Sequence, residues 1–216
     1  MKNIYSKFAY GRFSKKRKYY WGRYSTFYRK NVKFKDKTVI DFGCGNIETS
    51  SSYKQYLVEN NRVDNLYGYE TDHASIKILK DKNLFYDFFN DDKLLGKVDC
   101  IVANQVYEHL DRDERISFIV RSNKLLSKNG ILVLAYPYNL YNMNFKYFWE
   151  DITHKPVGVE AEASLIEQYN FDTDLYILGL KGDPFGILEN IICLIRNLIL
   201  LYPPFWITLI IAKKNN

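Results

Sequence analysis

The chain has 216 residues, of which 47% are hydrophobic, enough for the core of one domain. Its cysteines, Cys44, Cys100 and Cys193, stand far apart, which argues against a disulfide-stapled fold and against a zinc knuckle. The amino terminus has no apolar run of signal-peptide length. We therefore predict a cytoplasmic protein with one domain.

The net charge of +6 is unevenly distributed. Residues 1–37 hold thirteen Lys and Arg and one acid, which is +12 and leaves −6 for the remainder. Aromatic residues alternate with these charges. We interpret residues 1–37 as a helical cap whose aromatic face packs on the domain, residues 38–216. The alternative is a surface for RNA, an anionic substrate or phospholipid.

From residue 38, short apolar runs alternate with longer amphipathic stretches, which is typical of a parallel sheet flanked by helices. Asp72 is a candidate cap for the second helix. The predicted helices cover residues 48–59, 74–80 and 111–127. The predicted strands cover residues 38–42, 66–70, 84–86, 98–103, 131–135, 174–180 and 206–212.

An insertion at residues 181–205 separates the last two strands and carries an apolar segment, residues 187–202. Its polar residues recur seven apart, so a helix there would show a narrow polar stripe. It is too short and interrupted for a confident membrane span. The segment could pack on the core, form a homodimer contact, or touch a membrane peripherally together with the basic amino terminus.

The first strand runs into the turn Gly43-Cys44-Gly45 and then a predicted helix. Glycines let a ligand approach the main chain, and a helix start offers unpaired N–H groups. Such a turn suits a dinucleotide, a nucleoside or close packing. Glu70, at the end of the second strand, could accept both hydroxyls of a ribose. This acid favours a nucleoside site.

The ordered segments D-F-G-C-G-N, G-Y-E, Y-D-F and N-Q-V-Y-E-H-L resemble the motifs of class I S-adenosylmethionine methyltransferases. The resemblance implies an α/β fold: a Rossmann-like, seven-stranded, mostly parallel sheet with an antiparallel last strand and helices on both faces. It also implies S-adenosyl-L-methionine as cofactor and S-adenosyl-L-homocysteine as product. The residues it implies for cofactor binding are Asp41, Gly43, Cys44, Gly45, Glu70, Thr71, Asp87, Phe88, Asn104 and Gln105.

One position departs from the family pattern. Ile47 stands where the family commonly has a third glycine, which leaves open an inactive, non-catalytic relative. A dinucleotide site would require glycine at position 48, where Glu48 would repel a pyrophosphate. We therefore retain the methyltransferase interpretation.

His109, just beyond the fourth strand, is a candidate base for an acceptor hydroxyl, or else a structural residue at a helix entry. Asp151 and His154 lie in D-I-T-H, which resembles a stretch of bacterial methyltransferases in surface-polysaccharide, lipid and quinone pathways. Tyr107 joins these three as a candidate catalytic residue, and we expect Tyr107 and Tyr136 to be walls of the acceptor pocket. The spacing of the acids and histidines matches no compact metal motif, so we predict no metal.

We thus predict methyl transfer to an oxygen of a small polar or carbohydrate acceptor, such as a surface-polysaccharide precursor, in the cytoplasm or at the inner membrane face. Nucleic acid is not an expected partner. The alternatives are a non-catalytic Rossmann-fold partner protein and a methyltransferase acting on a lipid-linked or RNA substrate.

Overall fold

The computed structural model describes residues 18–22, 31–32, 37–45, 66–137, 157–180 and 206–215. The helices are α1 (His73–Asp81), α2 (Arg112–Leu125) and α3 (Val159–Glu167), with a 3-10 turn at Tyr107–His109. The strands are β1 (Lys18–Gly22), β2 (Val39–Phe42), β3 (Leu66–Tyr69), β4 (Val98–Asn104), β5 (Leu126–Pro137), β6 (Phe171–Leu180) and β7 (Trp206–Lys214).

These strands form one sheet in the order β1-β6-β7-β5-β4-β2-β3. Strand β7 runs antiparallel to β5 and β6, whereas the remaining pairs are parallel. All four residues of β2 are buried, as expected for a parallel strand that is covered on both faces. The predicted Rossmann-like sheet with its antiparallel last strand is confirmed.

The seventh strand is not the one predicted. Residues 84–86 make a single bridge, between Gly68 and Phe85, because the chain turns away at Asp87, whose carbonyl accepts a hydrogen bond from Asp91 N–H. Strand β1 is the seventh strand of the sheet instead, and it pairs with β6. The predicted helical cap is wrong at residues 18–22, whose aromatic run favours a strand. The sheet therefore includes residues on both sides of the predicted boundary at 37/38.

The starts of α1 and α2 follow from side-chain caps. Asp72 accepts a hydrogen bond from Ser75 N–H at 2.8 Å, which confirms the predicted cap. At α2, Asp111 accepts from Glu114 N–H at 2.9 Å, and the Glu114 carboxylate accepts from Asp111 N–H at 2.6 Å. This reciprocal pair is a capping box. Both helices therefore begin at positions that local sequence specifies.

Helix α2 ends two residues before the predicted 127, because Leu126 already belongs to β5. Lys214 Nζ donates to the carbonyls of Asn123 at 2.6 Å and Leu126 at 2.8 Å. Carbonyls at a helix end lack helical partners, and an ammonium group there is favourable. The last strand thus stabilises the end of α2.

The predicted helix at 48–59 and the insertion at 181–205 lie outside the described residues. In the part of the chain that is described, no helix is both long and apolar enough to cross a bilayer.

Candidate functional site

The turn that follows β2 favours glycine at two positions. Gly43 and Gly45 have φ of +70° and +55°. Gly43 N–H and Cys44 N–H donate to the Tyr69 carbonyl at 2.8 and 3.1 Å, which ties the turn to β3. A Cβ at Gly43 would lie 2.3 Å from Val106 Cγ2, beyond the end of β4. The turn therefore joins the carboxyl ends of β2, β3 and β4.

Glu70 lies directly against this turn. Gly45 N–H donates to Glu70 Oε2 at 2.6 Å, and Thr71 N–H donates to Oε1 at 2.7 Å. The carboxylate is half-buried, and Asp72 N–H also lies 3.3 Å from Oε1, so three backbone donors set its orientation. The two features from which the sequence predicted a nucleoside site are thus in direct contact.

The remaining predicted residues of the turn differ in accessibility. Asp41 and Cys44 are 2% and 0% exposed, so both are buried on the inner side of the turn, whereas Thr71 is exposed. Gly68 supports the same packing, since a Cβ there would lie 2.5 Å from Cys44 Sγ. Asp41 and Cys44 shape the turn from below.

A second part of the site is the loop at residues 87–92, which we call the 87–92 loop. Both carboxylate oxygens of Asp87 lie 3.1 Å from Asn90 Nδ2, which donates to them. Phe88 is fully buried, with its ring 5.4 Å from that of Phe118, whereas Phe89 is 40% exposed. The accessible aromatic beside Asp87 is therefore Phe89. Sequence reasoning missed it because two adjacent phenylalanines offer no pattern that separates the inner ring from the outer one.

This edge of the sheet carries acidic charge. Burial raises the pKa of Tyr69, and the nearby carboxylates of Asp87 and Glu70 raise it further. Residues 41–45, 69–72, 87–89 and 104–106, all described, contain four Asp or Glu and neither Lys nor Arg. The edge therefore favours a cation and opposes a polyanion.

Asn104 and Gln105 stand where β4 ends. Asn104 is half-buried, and Gln105 is exposed with φ of +56°. The Gln105 N–H donates to the Ala135 carbonyl at 2.7 Å, which helps to hold this conformation. A non-glycine residue in the left-handed region costs ~1–2 kcal/mol, and such strain concentrates at functional sites.

The 3-10 turn begins with Tyr107, which is fully buried. Its hydroxyl donates to the Glu162 carboxylate, and Arg115 Nη1 lies 3.7 Å from the other carboxylate oxygen. Burial raises the pKa of Tyr107 well above 10, and the Glu162 charge raises it further. Tyr107 therefore stays protonated and holds the turn in place from inside the protein.

Glu162 was not predicted, although the sequence carries a signal. It lies three residues after Val159 and four before Ile166, both buried, so an acid falls on the apolar face of α3. Burial raises the pKa of its carboxyl group, and the Tyr107 hydrogen bond and Arg115 oppose that rise. An acid on such a face needs a buried partner.

His109 ends the turn, half-buried, and its N–H donates to the Val106 carbonyl at 3.0 Å. Tyr136 is fully buried at the end of β5, and its ring centroid lies 6.0 Å from that of Tyr107. Neither tyrosine exposes surface as a pocket wall. Asp151, His154 and Ile47 lie outside the described residues. Among the residues described, no three His, Cys, Asp or Glu side chains are grouped as metal ligands would be.

We next compared the chain with known protein families. A family described as a methyltransferase domain matches residues 13–172 of the 216. The chain belongs to the methyltransferase domain family. The matched range begins before β1 and contains that strand. No curated protein matches the chain.

Solved structures share the fold of this methyltransferase domain at low identity. A SAM-dependent methyltransferase from Archaeoglobus fulgidus is 18% identical, with a TM-score of 0.63 over 88% of this chain and 92% of that one. The YcgJ protein of Bacillus subtilis is 11% identical, with a TM-score of 0.59 over 89% and 98%. Phosphoethanolamine N-methyltransferase 2 of Haemonchus contortus, solved with S-adenosyl-L-methionine, is 10% identical, with a TM-score of 0.57 over 88% and 51%. Their acceptors are therefore no guide to this one.

Proposed function

We propose that this methyltransferase domain binds S-adenosyl-L-methionine and transfers its methyl group to an oxygen of a small polar or carbohydrate acceptor. The observation that carries the proposal is the 2.6 Å hydrogen bond from Gly45 N–H to Glu70 Oε2. It joins a left-handed glycine turn to an acid at the carboxyl edge of a parallel sheet, which is where open α/β sheets bind nucleotides.

The residues present fit the ribose of this cofactor. A carboxylate offers about four lone-pair sites. Glu70 Oε2 accepts one hydrogen bond, from Gly45 N–H, whereas Oε1 accepts three, from Thr71 N–H, Thr71 Oγ1 and Asp72 N–H. Capacity for a ribose hydroxyl therefore remains on Oε2. Because backbone groups fix the carboxylate, little side-chain entropy is lost when a ribose binds.

The charge of the edge also fits. The sulfonium of the cofactor is a cation, and four acidic residues without Lys or Arg among the described positions of this edge favour it. A dinucleotide would place a pyrophosphate against the same carboxylates, which repel it. The charges therefore support a methyl donor over a dinucleotide.

The cofactor supplies an activated methyl group, and the chain's residues align the acceptor for an in-line displacement. A hydroxyl acceptor must lose its proton, and His109 lies one turn beyond β4, where it can accept one. Tyr107, held by Glu162, fixes the turn that carries His109. Asp151 and His154, which lie outside the described residues, are the other candidates for orienting the acceptor or accepting its proton.

Cofactor binding is tested by calorimetric titration of S-adenosyl-L-homocysteine into the wild type, Glu70→Gln and Asp81→Asn. Removing the charge that accepts the ribose hydroxyl should weaken binding by about 10- to 100-fold, since a hydrogen bond to a charged group contributes ~1.5–3 kcal/mol. Asp81, an exposed acid at the end of α1, is the matched control and should bind like the wild type. A folded wild type that binds neither cofactor nor product would instead indicate the non-catalytic partner protein.

The acceptor is tested with methyl-labelled cofactor incubated with separate nucleotide-sugar and oligosaccharide, phospholipid-vesicle and RNA fractions. We expect label in the carbohydrate fraction as a methyl ether. The variant His109→Asn should lower the transfer rate while the affinity for S-adenosyl-L-homocysteine stays unchanged. Label in RNA or lipid alone would overturn the carbohydrate assignment.

A further inference from the structure

We infer that Arg121 is a positioning residue that sets the base specificity of the nucleoside site by fixing the 87–92 loop against α2. The inference rests on the proposed function, because the base concerned is the adenine of the methyl donor. Arg121 lies on the middle of α2, outside every motif that the sequence singled out.

The Arg121 guanidinium makes three hydrogen bonds to this loop. Nε donates to the Phe88 carbonyl at 2.6 Å, and Nη2 donates to the Asp91 carbonyl at 2.6 Å. Nη1 contacts Asp92 Oδ1 at 2.8 Å. The Arg121 side chain is only 12% exposed, whereas that of Asp92 is 69% exposed. Because exposed ion pairs contribute little, the two carbonyl contacts carry the attachment.

The loop is held from a second side by Tyr86, whose hydroxyl also donates to the Asp91 carbonyl. The attached segment contains Asp87, whose carboxylate is oriented by Asn90, and the exposed ring of Phe89. Asp87 Oδ2 accepts one hydrogen bond, from Asn90 Nδ2, so lone-pair capacity remains on that oxygen. Arg121 and Tyr86 thus fix an acceptor and an apolar ring next to each other.

That pair can distinguish purines. The 6-amino group of adenine donates a hydrogen bond to a carboxylate. The 6-oxo group of hypoxanthine is itself an acceptor, so it would be repelled by the carboxylate. Discrimination of this kind requires the carboxylate to stay in place, since a mobile loop would move away from the wrong base. A lysine at position 121 cannot replace the planar fork of donors that spans both carbonyls and Asp92. The Arg121 contacts should therefore control selectivity more than overall affinity.

The experiment titrates S-adenosyl-L-homocysteine and S-inosyl-L-homocysteine into full-length wild type, Arg121→Lys and Lys124→Gln. The wild type should prefer the adenine compound by at least about tenfold, as expected for one site-defining hydrogen bond with a charged group. In Arg121→Lys that ratio should fall about tenfold, chiefly through tighter binding of the inosine compound, because the released loop can move its carboxylate away from the 6-oxo group. Lys124 is exposed and lies three residues after Arg121 on α2. Among the described contacts its side chain makes none with the loop, so Lys124→Gln should keep the ratio.

A second variant, Tyr86→Phe, removes the other hydrogen bond to Asp91 while keeping the buried ring, and it should also lower the ratio. It decides the question if Arg121→Lys does not fold. Folded variants with a wild-type ratio would overturn the inference, and so would equal loss of both ligands, which a merely structural role produces. A wild type that binds neither ligand would refute the proposed function itself, a result distinct from loss of selectivity.

Discussion

Substitution of Gly43 by alanine should destabilise the protein through two separable effects. The first is backbone strain, since φ is +70° and alanine in the left-handed region costs ~1–2 kcal/mol. The second is overlap with Val106, whose γ-carbons lie 2.3 and 2.8 Å from the added Cβ. Overpacking of this kind costs ~1–3 kcal/mol.

The expected total is ~2–5 kcal/mol, a large part of the ~5–15 kcal/mol that stabilises an ordinary domain. Gly96 provides a matched control for the backbone effect alone. It has φ of +67°, and an added Cβ would meet no atom within 4 Å. Gly96→Ala should therefore cost only ~1–2 kcal/mol.

Urea unfolding followed by circular dichroism measures both changes, with the m-value checked for constancy. Adding Val106→Ala removes both γ-carbons but leaves Cβ at 3.1 Å, so it should recover part of the loss caused by Gly43→Ala. The interaction energy of that double-mutant cycle should be ~1–3 kcal/mol. Equal costs for Gly43→Ala and Gly96→Ala, or no interaction with Val106, would refute the argument that Val106, beyond the end of β4, packs on the glycine turn.

Three further outcomes are expected. Asp111→Ala removes the side-chain half of the capping box and should lower the free energy of unfolding by ~1 kcal/mol in urea. Burial raises the Glu162 pKa above 4.5, so the folded state binds this proton more tightly than the unfolded state, and stability should fall as pH rises from 4.5 through the raised value. Glu162→Gln should flatten that slope. Tyr107→Phe should steepen it, because this variant removes the hydrogen bond that lowers the Glu162 pKa. Unfolding measured across pH 4–8 checks both expectations. Cys44 and Cys100 are buried, and burial raises the Cys100 pKa well above 9, so neither thiol should react with a maleimide before unfolding, as peptide mass mapping would show.

Features that depend on neighbouring residues in the chain could be predicted from the sequence. The caps at Asp72 and Asp111 are such features, because a side chain bonds to backbone groups three residues away. The proximity of the glycine turn and Glu70 could be predicted as well, since the order of strand, turn and strand fixes which ends share an edge of a parallel sheet.

The seventh strand could not be predicted in the same way. Strand β1 pairs with β6, whose residues lie more than 150 positions later, so nothing local shows that the basic arm contributes an edge strand. Residues 84–86 look equally suited to a strand, but a single bridge forms because the chain turns away at Asp87. Strand propensity alone cannot rank these two candidates.

The amino-acid sequence by itself determined the class of the sheet, the starts of α1 and α2, the glycine turn and the acid beside it, because these arise from periodicity, short-range hydrogen bonds and the order of the strands. Only the tertiary structure decided that Phe89 and not Phe88 is exposed, that Glu162 holds Tyr107, and that Arg121 holds the 87–92 loop. The contacts of Glu162 and Arg121 join residues 29 to 55 positions apart, and burial that depends on packing between elements leaves no periodic trace in the chain.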